Sequence, residues 1–234
     1  MKTLVAGFLL FSFVIALSAS NLSAITFLQW HSLILVIGGT IAILLLSTSS
    51  GVLVSLAKSL GSMSKGEENF DHFREDLTAL SLNRKKSSKS KSELIQYAAD
   101  LWTSGIESDL FIVLLSQKRK EVDSKCLDAV QAMKNLAKYP PALGMIGTVV
   151  GMISLFSKLD ENKANIGANL SLAMTATFFG LLLTNGLISP LADRMHVKQI
   201  NEQRTLDAIY EILLLINRGE PTALITEEMD ERAS

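Results

Sequence analysis

Two threonines set among apolar residues are the best-placed side-chain oxygens in the most hydrophobic part of this sequence. Thr148 lies in "PPALGMIGTVVGMISLF", Pro140 to Phe156, and Thr177 in "IGANLSLAMTATFFGLLLTNGLISPLA", Ile166 to Ala192. On helices, Gly144, Thr148, Gly151 and Leu155 fall at i, i+4, i+7 and i+11 and share a face. Ala173, Thr177, Gly180 and Thr184 repeat that spacing, and Gly147 with Gly151 adds a small-x-x-x-small pair. Small residues let helix backbones approach closely in lipid, where no hydrophobic drive holds helices together. A hydroxyl on such a face has two readings. It donates to its own i−4 carbonyl and serves only its helix, or it lends an oxygen to a cation that has shed water in a low-dielectric path.

Neither segment contains Asp, Glu, Lys, Arg or His. A proton relay ordinarily uses an ionisable group inside the membrane, so a proton path here would need a carboxylate brought by a second chain. Enzymatic chemistry finds no footing. His31, His72 and His196 are far apart in sequence, with no nucleophile motif or metal spacing to join them. His31, beside Trp30, reads as an interfacial residue. Cys126 is the sole cysteine, which excludes an internal disulfide and offers no metal cluster. No cofactor is expected, and a net charge of −1 gives no reason to expect nucleic acid as a partner.

These faces need membrane helices to present them. The chain is 48% hydrophobic and 19% charged, too apolar for an ordinary soluble domain of 234 residues, and the apolar residues come in blocks. The blocks are Leu4 to Ala19, Ser32 to Ala57, Pro140 to Phe156 and Ile166 to Ala192. A spanning helix needs roughly 17–25 such residues; the second and fourth are comfortably long, the first and third near the lower limit. The first, preceded by Lys2 and followed by "SASNLSA", reads either as a cleavable signal peptide or as a retained helix.

Between Ala57 and Tyr139 the chain is rich in Lys and Arg, with Lys58, Lys134 and Lys138 close to span ends, whereas the link between the first two blocks has none. The positive-inside rule therefore places the middle segment in the cytoplasm, the link Ser157 to Asn165 outside, and both termini inside. Ser81 to Glu93 is basic and serine-rich and reads as a mobile linker or a helix end. Ser92 to Lys138 has helical spacing, through Leu94, Ala98, Leu101 and Trp102 and then Leu127, Val130, Met133 and Leu136. The tail after Ala192 predicts an amphipathic helix with the stripe Leu206, Ile209, Tyr210, Leu213 and Ile216, stopped at Gly219 and Pro221. The fold class is an all-α membrane protein: four transmembrane helices and a cytoplasmic helical domain. The expected divisions are residues 1–57, first two spans; 58–139, cytoplasmic; 140–192, third and fourth spans; and 193–234, a cytoplasmic helix and tail.

"YPPALGMIGTVVGMISLF", the link "SKLDENKANIG" and "ANLSLAMTATFFGLLLTNGLISPLADRM" together resemble the paired third and fourth spans of the MotA/TolQ/ExbB ion-channel family. Two spans before the cytoplasmic segment resemble its flagellar stator branch, as do "SLILVIGGTIAILL" and "INRGEPTALI". The resemblance implies a homo-pentamer around two single-span partners of the MotB/TolR/ExbD type, each carrying an aspartate in its span. It implies H+ or Na+ as the transported ion, a flagellar rotor protein as a further partner, and the bacterial inner membrane as location. Thr148 and Thr177 match the family's ion-pathway threonines, and Pro141 and Pro190 its prolines at the start of the third span and the end of the fourth, as gating candidates. The glycine face would then pack against sibling and partner helices.

Two features depart from the stator pattern. Where stators carry an Arg and a Glu that contact the rotor, "AADLWTSGIESDL" has Asp100 and Glu107 but no clear Arg. Ala176 precedes Thr177 where the sodium-type pattern has a second threonine, so the ion stays open between proton and sodium. The alternatives are a TolQ/ExbB-type energiser of another envelope process and a non-conducting membrane scaffold.

Overall fold

The computed structural model describes residues 30–63, 70–83, 90–157 and 166–233. The first apolar block, residues 84–89 of the basic linker and most of the outer link lie outside them. Among the described residues all regular structure is helical: α1 Trp30–Ser47, α2 Ser50–Ser62, α3 Asp71–Leu82, α4 Glu93–Thr103, α5 Ser108–Leu136, α6 Tyr139–Ser157, α7 Ile166–Leu183, a π turn Thr184–Ile188, α8 Ser189–Arg218 and α9 Thr222–Ala233. They group into two units, one taking in the described residues up to 63 with Ala129–Met195, the other those from 70 to Asp128 with the chain from His196 onward.

In the first unit α6 lies along α7, and α1 packs on both. Along these three helices most small and hydroxyl-bearing residues point inward, with Val36, Leu143 and Leu155 among them, and most large apolar ones point outward. The buried stripe of α1 is Ser32, Val36 and Thr40, while Ile34, Ile41 and Leu46 are exposed. On α6, Gly144 and Gly147 are buried and Ile146, Val149, Val150 and Ile153 are exposed. On α7, Ala173 and Ala176 are buried and Met174 and Leu181 are exposed. Such a distribution is costly in water and natural in lipid, where large side chains lose nothing by facing the solvent. Helices long and apolar enough to cross a membrane fall within 108–157 and 173–218, and Ser32–Ser47 is a shorter apolar helix.

The second unit has the opposite polarity. Leu77 and Leu80 of α3, Leu94 and Ile95 of α4, Phe111 and Leu115 of α5 and Ile212 and Leu213 of α8 form one core, as in a water-soluble helical domain. Ile225 and Met229 of α9 close it against α3, where Thr78 lies beside the Met229 sulfur and Arg74 pairs with Asp230. Trp102 stacks on Phe111 with centroids 4.9 Å apart and donates its indole N–H to Asn217 over 3.1 Å.

Sequence expectations change at several points. The second apolar block is not one helix: it breaks at Thr48 and Ser49, where a run of hydroxyl side chains competes with the main chain for hydrogen bonds. Ser49 is extended, with ψ 153°, and α2 starts after it. The helical spacing of Ser92 to Lys138 resolves into two helices, parted at Gly105 with φ 68°, a left-handed conformation that favours glycine. Val130, Met133 and Leu136 are buried as expected, but Leu127 is 49% exposed. On the tail, Ile209, Leu213 and Ile216 are buried, and α8 stops at Gly219, φ 81°. The helix does not stop with the fourth block at Ala192. The chain passes through the π turn, Ser189 N–H bonding the Thr184 carbonyl five residues back, and continues as α8. Pro190 is the second residue of α8.

Candidate functional site

The two hydroxyls singled out by sequence meet. Thr148 Oγ1 of α6 lies 2.5 Å from Thr177 Oγ1 of α7. Consecutive helices joined by a short link pack side by side, and here they run antiparallel: Gly180 lies opposite Pro140, Thr177 opposite Gly144, and Ala173 opposite Gly151. Glycine makes this approach possible. A Cβ at Gly144 would stand 2.9 Å from the Ala176 carbonyl oxygen and the Thr177 Cα. At Gly147 it would meet the Ala176 methyl at 2.6 Å and Leu35 at 2.9 Å, and at Gly151 the Ala173 methyl at 2.6 Å. At Gly180 it would collide with the Pro140 carbonyl oxygen. The glycine face, expected to meet sibling and partner helices, is occupied by this chain's own α7. A closely packed antiparallel pair needs small residues on both sides of its seam, and the seam uses them up.

The hydroxyls are bonded across helices as well as along them. Thr148 Oγ1 lies 3.1 Å from the Gly144 carbonyl, its own i−4 acceptor, and 3.1 Å from the Ala173 carbonyl of α7. Thr177 Oγ1 lies 3.1 Å from the Gly144 carbonyl on the opposite helix. Two hydroxyl protons thus face four short contacts. If each threonine donated to a carbonyl, two lone pairs would oppose each other at 2.5 Å. One hydroxyl must therefore donate to the other, which donates to a carbonyl. That leaves oxygen lone pairs from two hydroxyls and two carbonyls within one helical turn. Both threonines are half-buried, so the cluster is open on one side. Sequence reasoning placed Gly144 and Ala173 as packing residues. Their carbonyls are part of the cluster, and the signal was their i−4 position relative to Thr148 and Thr177.

Thr184 does not join this cluster. It is buried at the Pro140 end of the α6–α7 seam and donates to the Ala137 carbonyl over 3.1 Å. Pro141 stands in the first turn of α6, with its Cα 3.3 Å from where a Gly180 Cβ would lie. Pro190 lies beyond the π turn.

Among the described residues no three of His, Cys, Asp and Glu stand close enough to hold a metal. Cys126 sits in the second unit with its thiol 3.3 Å from Glu202 Oε2. Burial first, and then the Glu202 carboxylate, push its pKa up to about 12. It is a poor nucleophile and a poor metal ligand in that state.

Residues 86–207 match the family profile described as the MotA/TolQ/ExbB proton channel family. The chain is similar to the chemotaxis protein PomA of Vibrio alginolyticus, at 26% identity over 223 residues, covering 92% of this chain and 88% of that one. Its fold is similar to a structure of C. jejuni MotAB, with a TM-score of 0.81 at 16% identity over 99% of this chain and 95% of that chain. The flagellar MotAB stator complex from Bacillus subtilis gives a TM-score of 0.78 at 16% identity over 97% and 94%.

Proposed function

The chain belongs to the MotA/TolQ/ExbB proton channel family, and on that premise we propose that it is the ion-conducting subunit of a flagellar stator, turning an H+ or Na+ gradient into torque. The observation that carries this reading is the oxygen cluster at Thr148 and Thr177, in a seam whose large side chains face outward. A bare cation in a low-dielectric region needs replacement oxygens, and the open side of the cluster offers them. The apolar segments contain no titratable side chain, so the group that binds and releases the ion comes from a partner. We assign that role to an aspartate in the single span of a MotB-like protein. The ion would pass between that carboxylate and the hydroxyls, and each passage would change the contact between partner and seam.

In this reading residues 1–57 hold the first two spans and 58–139 form the cytoplasmic domain. Residues 140–192 hold the third and fourth spans, and 193–234 return to the cytoplasm. Five copies surround two partners in the bacterial inner membrane, with both termini cytoplasmic and the cytoplasmic domain facing the rotor. The test is reconstitution of the chain with its MotB-like partner in liposomes under an imposed sodium or proton gradient. Flux is expected only with both proteins present and only with the partner's aspartate intact. Absence of flux under either gradient, with a correctly assembled complex, would favour a non-conducting scaffold. Flux with no motility phenotype on deletion in the cell would favour an energiser of another envelope process.

A further inference from the structure

We propose that Thr184 is a positioning residue whose hydroxyl replaces a main-chain donor that the start of the third span lacks, and so couples ion passage to mechanical work. The inference rests on the stator reading above. Pro140 and Pro141 occupy the first turn of α6, directly after the end of α5. In an unbroken helix the N–H of residue 141 would donate to the carbonyl of residue 137. Proline has no N–H, so the Ala137 carbonyl is left without its helix donor. Thr184 Oγ1, buried and 3.1 Å away on the neighbouring helix, supplies the missing hydrogen bond.

A second contact one turn away acts on the same junction. Gly180 lies against the Pro140 carbonyl and Pro141 so closely that no side chain fits between them. Gly180 therefore sets how near α7 comes to the two-proline turn, and Thr184 sets its rotation. The π turn begins at Thr184, whose main-chain carbonyl accepts from Ser189. Thr184 is thus tied by main chain and side chain at once.

The arrangement is a closed frame. Thr148 follows Pro141 by seven residues on α6, and Thr177 of α7 precedes Thr184, the first residue of the π turn, by seven. The Thr148–Thr177 contact is one crossbar and the Thr184–Ala137 bond the other. A displacement at the first reaches the second along two helices about two turns long, and from there α5, which enters the other unit of the chain. Without the second crossbar the ion oxygens remain in place, but the proline junction can swivel and absorb the displacement.

Thr184→Val removes the hydroxyl while keeping the shape, and Thr184→Ser keeps the hydroxyl. Each is made in the full chain, assembled with its partner, and measured in three ways: ion flux in liposomes, rotation of a tethered cell or bead, and hydrogen exchange over residues 134–145. For Thr184→Val we expect wild-type flux, lowered torque, and exchange confined to that peptide that is faster by about fivefold, as one lost hydrogen bond would give. Thr184→Ser restores all three. Unchanged exchange in Thr184→Val overturns the proposal whatever the other readings, as does wild-type torque. Flux and torque falling together would place Thr184 in the ion path instead and likewise overturns it. A wild-type complex with neither flux nor rotation refutes the stator reading, and the exchange data then still decide whether Thr184 holds the junction.

Discussion

At the scale of single residues, the site consists of oxygens rather than charges. Thr→Val at 148 or 177 keeps the shape and removes one of two coupled hydroxyls. Each change is expected to leave assembly intact and strongly reduce ion-driven motility, measured as swimming speed with sodium exchanged for potassium, with and without a protonophore. Loss of a sodium response in Thr148→Val would place the ion at that hydroxyl. Wild-type speed in both variants would mean that the threonines only bridge α6 and α7. Cys126 gives a prediction in the other unit. Raising its pKa from an ordinary 9.0 to about 12 leaves roughly a thousandth of the usual thiolate at pH 8. Alkylation of the native protein should be correspondingly slow, and mass spectrometry of iodoacetamide-treated protein would measure it. The same shift has a sign for stability. The folded state holds its proton where the unfolded thiol has lost one, so this contribution is present below pH 9 and is lost as pH rises towards 12.

At the scale of elements, the seam between α6 and α7 is set by backbone approach, so glycines there should differ sharply from glycines elsewhere. Gly180→Ala drives a methyl into the Pro140 carbonyl, a main-chain atom that cannot rotate away. Gly38→Ala on α1 meets nothing within 4 Å. Overpacking typically costs about 1–3 kcal/mol, whereas alanine in an open helical position gains roughly 0.5–1 kcal/mol over glycine. Thermal unfolding in mild detergent should therefore show Gly180→Ala melting lower and Gly38→Ala unchanged or higher. A large loss in Gly38→Ala would reveal a second chain covering that face. Gly151→Leu belongs to the same argument. Its side chain would displace Ala173 and with it the carbonyl that faces Thr148, so the yield of assembled complex and the ion-driven function should fall together.

At the scale of the whole molecule, the two units obey opposite rules of burial. The α1–α6–α7 part of one hides mostly small residues and exposes large apolar ones, beside a separate buried cluster of Leu56, Val130, Met133, Leu136, Ile188 and Met195; the other hides Phe, Leu and Ile. The exposed apolar faces of α1, α6 and α7 must meet lipid or other copies, and the proposed assembly is five copies around a partner dimer. Native mass spectrometry of the purified chain, or cryo-EM of the complex, should show five. A stable monomer in mild detergent, indifferent to the partner, would count against the assembly.

The one-dimensional pattern determined what depends on composition and helical period. Apolar blocks marked α1, α6 and α7 as apolar helices, the i, i+4, i+7 spacing put Thr148 with Gly144 and Gly151, and the same spacing put Thr177 with Ala173 and Gly180. The stripe Ile209, Leu213 and Ile216 was legible as a buried face, and Gly219 as its stop. These features lie within one helix, where geometry follows from residue number alone. What spans two helices was not legible. Spacing could not say that the glycine face belongs to α7 of the same chain, because packing partners depend on which helices lie side by side. It could not place the break at Ser49 or the π turn after Leu183, since each balances local hydrogen bonds against tertiary contacts. It grouped Thr184 with Thr177 by period, yet the two hydroxyls have different partners. Only the third dimension brought the Thr184 oxygen to Ala137, a carbonyl left open by a proline forty-three residues earlier in the chain.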